Sequence, residues 1–242
     1  MINVTLSLNG EVFLTCNYLW LDPYAPNTGR KFIFSGLQSR KDISLHEKTI
    51  TVGITAATKF DANDFLNEFK IFVFDYAPEN LVENDWWIYG EVNNEGYPEY
   101  RQGIIDVFND WQKGTLFDWF SIPIGSQLKL DYLGVCLMYS GLATNIAEKQ
   151  VYQFDARLVM EERDFFYMAA MEFIGDRGYF GHDLHTFKDC LLELYNHNGY
   201  FSNKRIVLSG MDNLLNLEIT SFLQVIKEEL LRFKFLVGYS LE

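Results

Sequence analysis

The side chains best placed to do chemistry lie between residues 178 and 191, in Gly178-Tyr179-Phe180-Gly181-His182-Asp183-Leu184-His185-Thr186-Phe187-Lys188-Asp189-Cys190-Leu191. Leu184, Phe187 and Leu191 recur at the three- and four-residue spacing of a helix stripe that faces a core. That leaves His185, Lys188 and Asp189 on the opposite side, with His185 and Asp189 one turn apart. Tyr179 and Phe180 precede the helix, so the expected product is a polar ledge: a carboxylate, an imidazole, a cation and aromatics. Such a ledge binds a cationic surface; equally, it is the solvated face of an ordinary helix with aromatics packed at its entrance. Asp183 stands where a helix cap is expected.

Other constellations point to other chemistry. Trp86, Trp87, Tyr89, Trp111 and Trp119 suggest a sugar-stacking platform, although aromatics spaced in this way more often build sheet cores and edges. Asp106, Asp110 and Asp118 suggest the paired carboxylates of glycoside hydrolysis, against which stands the plain reading of a solvated face. His182 and His185 with Asp189 suggest a metal site, but two histidines without further ligands favour no metal, and no cofactor is expected. A phosphate-binding glycine loop, a dinucleotide glycine motif and a Gly-x-Ser-x-Gly elbow are all absent from the sequence.

Two kinds of segment must position these residues. Through residue 145 the chain reads mostly as strand. Ile2, Val4, Leu6 and Leu8 alternate with polar residues, and Asn9-Gly10 then Val12, Phe13 and Leu14 predict a hairpin. Further strands are expected at 31–34, 49–55, 70–74, 86–92, 116–122 and 128–138, with one short helix over 61–69. Short aromatic-rich strands separated by Asn, Gly, Asp and Pro predict an antiparallel sandwich or rolled sheet. Residues 143–149 read as a linker. From residue 146 onward the order strand, helix, helix, strand, helix, strand predicts an α/β domain with parallel strands. The expected organisation is therefore a β-rich domain over 1–145 and an α/β domain over 146–242.

Composition narrows the function. The 242 residues carry 20 Lys and Arg against 33 Asp and Glu, a net charge of −13. That argues against nucleic acid and anionic membranes as partners and permits a cationic protein, attracted over long range. Cys16, Cys136 and Cys190 are an odd number in a chain whose first residues read as a strand, not a signal, which predicts reduced thiols and a cytoplasmic protein.

The last 90 or so residues resemble the barstar family of ribonuclease inhibitors. The resemblance rests on Tyr179-Phe180-Gly181, then Asp183-Leu184-His185, then Asp189-Cys190-Leu191, and downstream on Ser221-Phe222-Leu223-Gln224-Val225-Ile226-Lys227-Glu228. It implies a small three-stranded parallel sheet covered by helices. It also implies an inhibitor, not an enzyme, whose partner is a cationic ribonuclease or related toxin. Asp189 matches the central carboxylate that enters the nuclease site, Tyr179 an aromatic stacking beside the partner's catalytic residues, and Glu228 an outlying acid. His185 stands where the family has a second Asp, and Lys188 where it has a Trp, so the target is expected to differ in charge pattern from the family's usual one. The alternative reading is a carbohydrate-binding or scaffold protein acting through the Trp-rich first domain.

Overall fold

The computed structural model describes residues 2–22, 29–56, 65–77, 85–93 and 102–240. The chain divides into two compact units, Met1–Phe117 and Asp118–Glu242.

In the first unit six antiparallel strands close into a barrel: β1 (Ile2–Leu8), β2 (Glu11–Leu21), β3 (Arg30–Arg40), β4 (Thr49–Ala56), β5 (Phe65–Tyr76) and β6 (Asp85–Asn93), in the order β1-β2-β3-β6-β5-β4. The β1–β2 hairpin turns at Asn9 and Gly10, both at positive φ (53° and 83°), as a tight turn matching strand twist demands. Alternation then sends Val4, Leu6, Phe32, Phe34, Ile50, Val52, Ile71 and Ile88 inward, all at 3% exposure or less. The rolled-sheet alternative thus holds for this unit, in closed form. One helix, α1 (Gln102–Lys113), lies on it; its Asn109 donates to the Leu19 carbonyl at 2.8 Å and its Gln112 accepts from the Ile2 amide at 2.8 Å. The short helix expected over 61–69 is not formed at Phe65–Phe69, which belongs to β5; its first four residues lie outside the described residues.

The second unit begins earlier than the expected boundary at 145. The strands expected at 116–122 and 128–138 are instead a single 3-10 turn at Trp119–Ser121 and a helix, α2 (Gln127–Ser140). Ser126 caps α2, accepting from the Leu128 amide, and Gly141 ends it at φ 62°. Three parallel strands follow, β7 (Val151–Asp155), β8 (Arg205–Ser209) and β9 (Leu236–Ser240), in the order β7-β8-β9. Helices α3 (Glu162–Phe173) and α4 (Leu184–Asn198) join β7 to β8, and α5 (Leu217–Arg232) joins β8 to β9. Parallel neighbours need such crossovers. The core is aromatic: Phe154 stacks on Phe165, Phe165 and Phe166 each meet Phe187 and Phe222, and Phe173 meets Phe180.

Residues 143–149 are not a linker. Ala143 is buried, the Ala147 amide donates to the Phe173 carbonyl, and the Asn198 amide and Tyr152 hydroxyl donate to the carbonyls of Thr144 and Ala147. Limited proteolysis is therefore expected to spare 143–149, since cleavage needs backbone that can leave its partners. An early cut within that stretch would contradict its place in the second unit.

Candidate functional site

The entrance to α4 is built by the residues of the quoted motif. Asp183 is the N-cap, its carboxylate accepting from the Thr186 amide at 2.8 Å while Thr186 Oγ1 accepts from the amides of His182 and Asp183. Burial works against the charged Asp183, yet the Thr186 amide and hydroxyl hold its carboxyl below the usual range. Gly181 sits at φ +96°, and a Cβ there would lie 2.8 Å from the Phe187 nitrogen, so the loop can fold back on the helix only with glycine.

That fold-back corrects the expected ledge. Tyr179 and Phe180 are not on it: they are 1% and 0% exposed. Phe180 packs on Phe173 and Phe187, and the Tyr179 hydroxyl bonds His182 Nδ1 at 2.8 Å. Burial pushes the Tyr179 phenol up to about 12. Tyr179, Phe180 and Gly181 are buried, and the stacking role implied for Tyr179 has no accessible ring to perform it, whereas Asp183, the cap, keeps its side chain 52% exposed.

The face that remains open belongs to two helices. On α4, His185 is 85% and Asp189 52% exposed along their side chains, with Nε2 and Oδ2 3.8 Å apart. Beside them Lys188 reaches across to α5, where its Nζ lies 3.0 Å from the Glu229 carboxylate. Glu229 is 7% exposed and also accepts from Arg232 at 3.1 and 3.2 Å, so its charge is shared between two cations. Lys188 is therefore committed to joining the helices. The pair bridges α4 and α5, with exposed Asp189 next in sequence to one end and exposed Glu228 next to the other. Underneath, Phe187, Cys190, Leu191 and Leu194 are buried, and burial pushes the Cys190 thiol up to about 12. All three cysteines are free and buried.

The other constellations resolve differently. Trp86, Trp111 and Trp119 are buried, leaving Trp87, with Lys31 Nζ 4.9 Å from its ring centre, and Tyr89 as the more accessible members of the supposed platform. Asp106 takes the Gln102 amide and Asp110 lies 3.9 Å from Lys113, pairings along one helix surface. His182 Nδ1 is engaged by Tyr179, and among the described residues no three His, Cys, Asp or Glu gather as a metal site. Among the described residues no helix is long and apolar enough to cross a membrane.

One cluster gave little sign of itself in the sequence. Lys129 of α2, 3% exposed along its side chain, lies 2.7 Å from Asp164 and 2.9 Å from Glu161. Asp164, 1% exposed, also accepts from Trp119 Nε1 at 2.7 Å and from the amides of Met160 and Glu161. The Trp119 ring stacks on Tyr167 at 4.5 Å, and Lys129 Nζ lies 5.2 Å from that ring's centre. A lysine within the apolar run of α2 was the available signal. Buried, the cluster fastens α2 to α3 through the contacts of Lys129 with Asp164 and Glu161.

No family model, no curated protein and no solved structure matches this chain.

Proposed function

We propose that this chain is a barstar-like inhibitor whose second unit blocks the active site of a cationic ribonuclease or related toxin with the α4–α5 face. One observation carries the reading: Asp189 holds an exposed carboxylate on a helix whose other side is packed into an aromatic core. A nuclease gathers cations to hold a polyanion. A carboxylate on a rigid helix can take the place of phosphate without ordering anything on binding. The parallel three-stranded sheet with its helical crossovers is the architecture the resemblance implies. Asp189 is the central contact, Glu228 an outlying one, and His185 and Lys188 flank Asp189. The excess of negative charge speeds encounter with a cationic target. Titrating the chain into the ribonuclease or toxin encoded beside it should abolish RNA cleavage at one equivalent. Undiminished cleavage at excess inhibitor would remove the proposal.

The rival reading, carbohydrate binding or scaffolding through the barrel, retains Trp87 and Tyr89 but loses the other three aromatics of its platform to the core.

A further inference from the structure

The carboxyl ends of β7 and β8 carry a surface that the α4–α5 face does not use. The 3-10 turn after β7, Ala156–Leu158, lies against the one after β8, Met211–Asn213. Their approach is close: a Cβ on Gly210 would stand 2.7 Å from Arg157 Cγ. Around this junction large aliphatic side chains face water, with Leu215 at 96%, Leu217 at 80%, Met160 at 59% and Leu158 at 43% exposure. Single exposed leucines need no explanation, but four large aliphatics on two converging loops do. They are bordered by relief a partner can fill. A groove of about 280 Å³ runs between Met160 and Leu215, and one of about 560 Å³ lies on the other side of the second turn, between Asp212 and Tyr239. The crevice outside the carboxyl ends of parallel strands is where open α/β sheets place ligands.

Charge selects the occupant. Glu162, Asp212 and Glu218 are exposed around the aliphatic patch. The cations nearby are engaged: Arg157 bonds Asp155 at 2.9 and 2.8 Å, Arg163 reaches the Ser126 carbonyl, and Lys227 donates to the Tyr239 hydroxyl at 2.9 Å. An apolar patch with an acidic rim complements a segment whose aliphatic side chains are flanked by Lys or Arg. A second copy of this chain would set the same carboxylates against each other, on a molecule of net charge −13. From this geometry we infer that the junction after β7 and β8 is a second docking surface, and that it takes a basic amphipathic helix of a partner protein. Leu215 and Leu217 enter between the partner's aliphatic side chains, and Asp212 and Glu218 meet its flanking cations. The aliphatic patch stands apart from the inhibitory face, since Leu217 opens α5 whereas Glu228 lies about 16 Å further along it; the larger groove comes nearer, its Gln224 bonding Glu228 at 3.5 Å.

The test uses the full chain and a labelled amphipathic peptide of about 18 residues built from Leu and Lys, long enough for several helical turns, beside a counterpart with Glu for every Lys. Fluorescence anisotropy should show saturable binding of the Lys peptide and none of the Glu peptide. The double variant L215Q/L217Q, at positions too exposed to support folding, should weaken binding by about tenfold or more. D212N/E218Q should weaken it and flatten its salt dependence. Asp189→Ala should leave it unchanged. Lys-peptide binding that ignores L215Q/L217Q would be non-specific attraction to an acidic protein, and would overturn the inference. So would equal binding of the Glu peptide, absence of binding, or loss of binding in Asp189→Ala. If L215Q/L217Q instead converts a dimer to a monomer, the occupant is a second copy and the inference fails. None of these outcomes bears on nuclease inhibition, which is read separately.

Discussion

Asp164→Ala is expected to cost the second unit about 3–5 kcal/mol, the range for breaking a buried ion pair from one side. The loss is large because Asp164 serves four donors at once: Lys129 Nζ, Trp119 Nε1 and the amides of Met160 and Glu161. Removing the carboxylate leaves the Lys129 ammonium buried with Glu161 as its remaining carboxylate and strands the indole N–H and both amides. The second unit's unfolding transition should move down by roughly 10 °C or more. Trp119→Phe, which deletes one donor and keeps most of the ring, should cost only about 1–2 kcal/mol. Replacing both charges, as Lys129→Met with Asp164→Leu, should recover only part of the loss: no ammonium is left buried, but the indole N–H and both amides stay unpaired and Glu161 loses its lysine. Thermal melts of the four proteins check this; an unchanged transition in Asp164→Ala would show the cluster to be solvated. The pH sign is also fixed. Burial opposes the charge on Lys129, but Asp164 and Glu161 outweigh it and hold the ammonium pKa above its ordinary value. A group raised in the folded state stabilises below its unfolded pKa, so the Lys129 contribution is complete at neutrality and disappears only as alkaline pH passes through the raised value.

Much of the fold was written locally. The polar–apolar alternation of β1, the Asn9-Gly10 turn and the stripe of α4 each report a period set by one neighbouring surface, and each element formed where that period runs. The α2 helix failed that test for a physical reason. Apolar residues lie all round it, with Tyr132, Leu133, Val135 and Cys136 buried together, so no helical period stands out and Leu128–Met138 reads as alternating strand. The signs that would have found it were its caps, Ser126 and Gly141. The displaced boundary has the same origin, because α2 belongs with α3 through Lys129, a pairing across 35 residues that no local pattern records. At the candidate site, helix spacing put His185 and Asp189 outward correctly. It could not place Tyr179 and Phe180, which precede the helix and whose direction depends on the positive φ at Gly181. Lys188 and Glu229 illustrate the remaining gap: each reads as a solvated charge, and only the packing of α4 on α5 makes them partners.

For the proposed inhibitory face the expected result is a loss of about 2–5 kcal/mol in binding for Asp189→Ala, roughly thirtyfold to several thousandfold in affinity. Truncation leaves the partner's cations buried at the interface without their counter-charge, which is why a central carboxylate costs more than a rim one. Glu228→Ala should cost less and act through the association rate. Folding stability should change by less than about 0.5 kcal/mol in either variant, since both side chains are exposed and neither packs the core. Because Tyr179 is buried, no aromatic at that position shares the load, and Asp189 should carry a larger fraction of the total than it would beside a stacking ring. The most direct measurement is the affinity and residence time of parent, Asp189→Ala and Trp87→Ala proteins on the ribonuclease or toxin encoded beside the chain, with melting as control. The account predicts that Asp189→Ala shortens residence by at least about tenfold while Trp87→Ala binds as the parent does. Parent-like binding by Asp189→Ala, with binding lost in Trp87→Ala, would contradict it and transfer the function to the barrel.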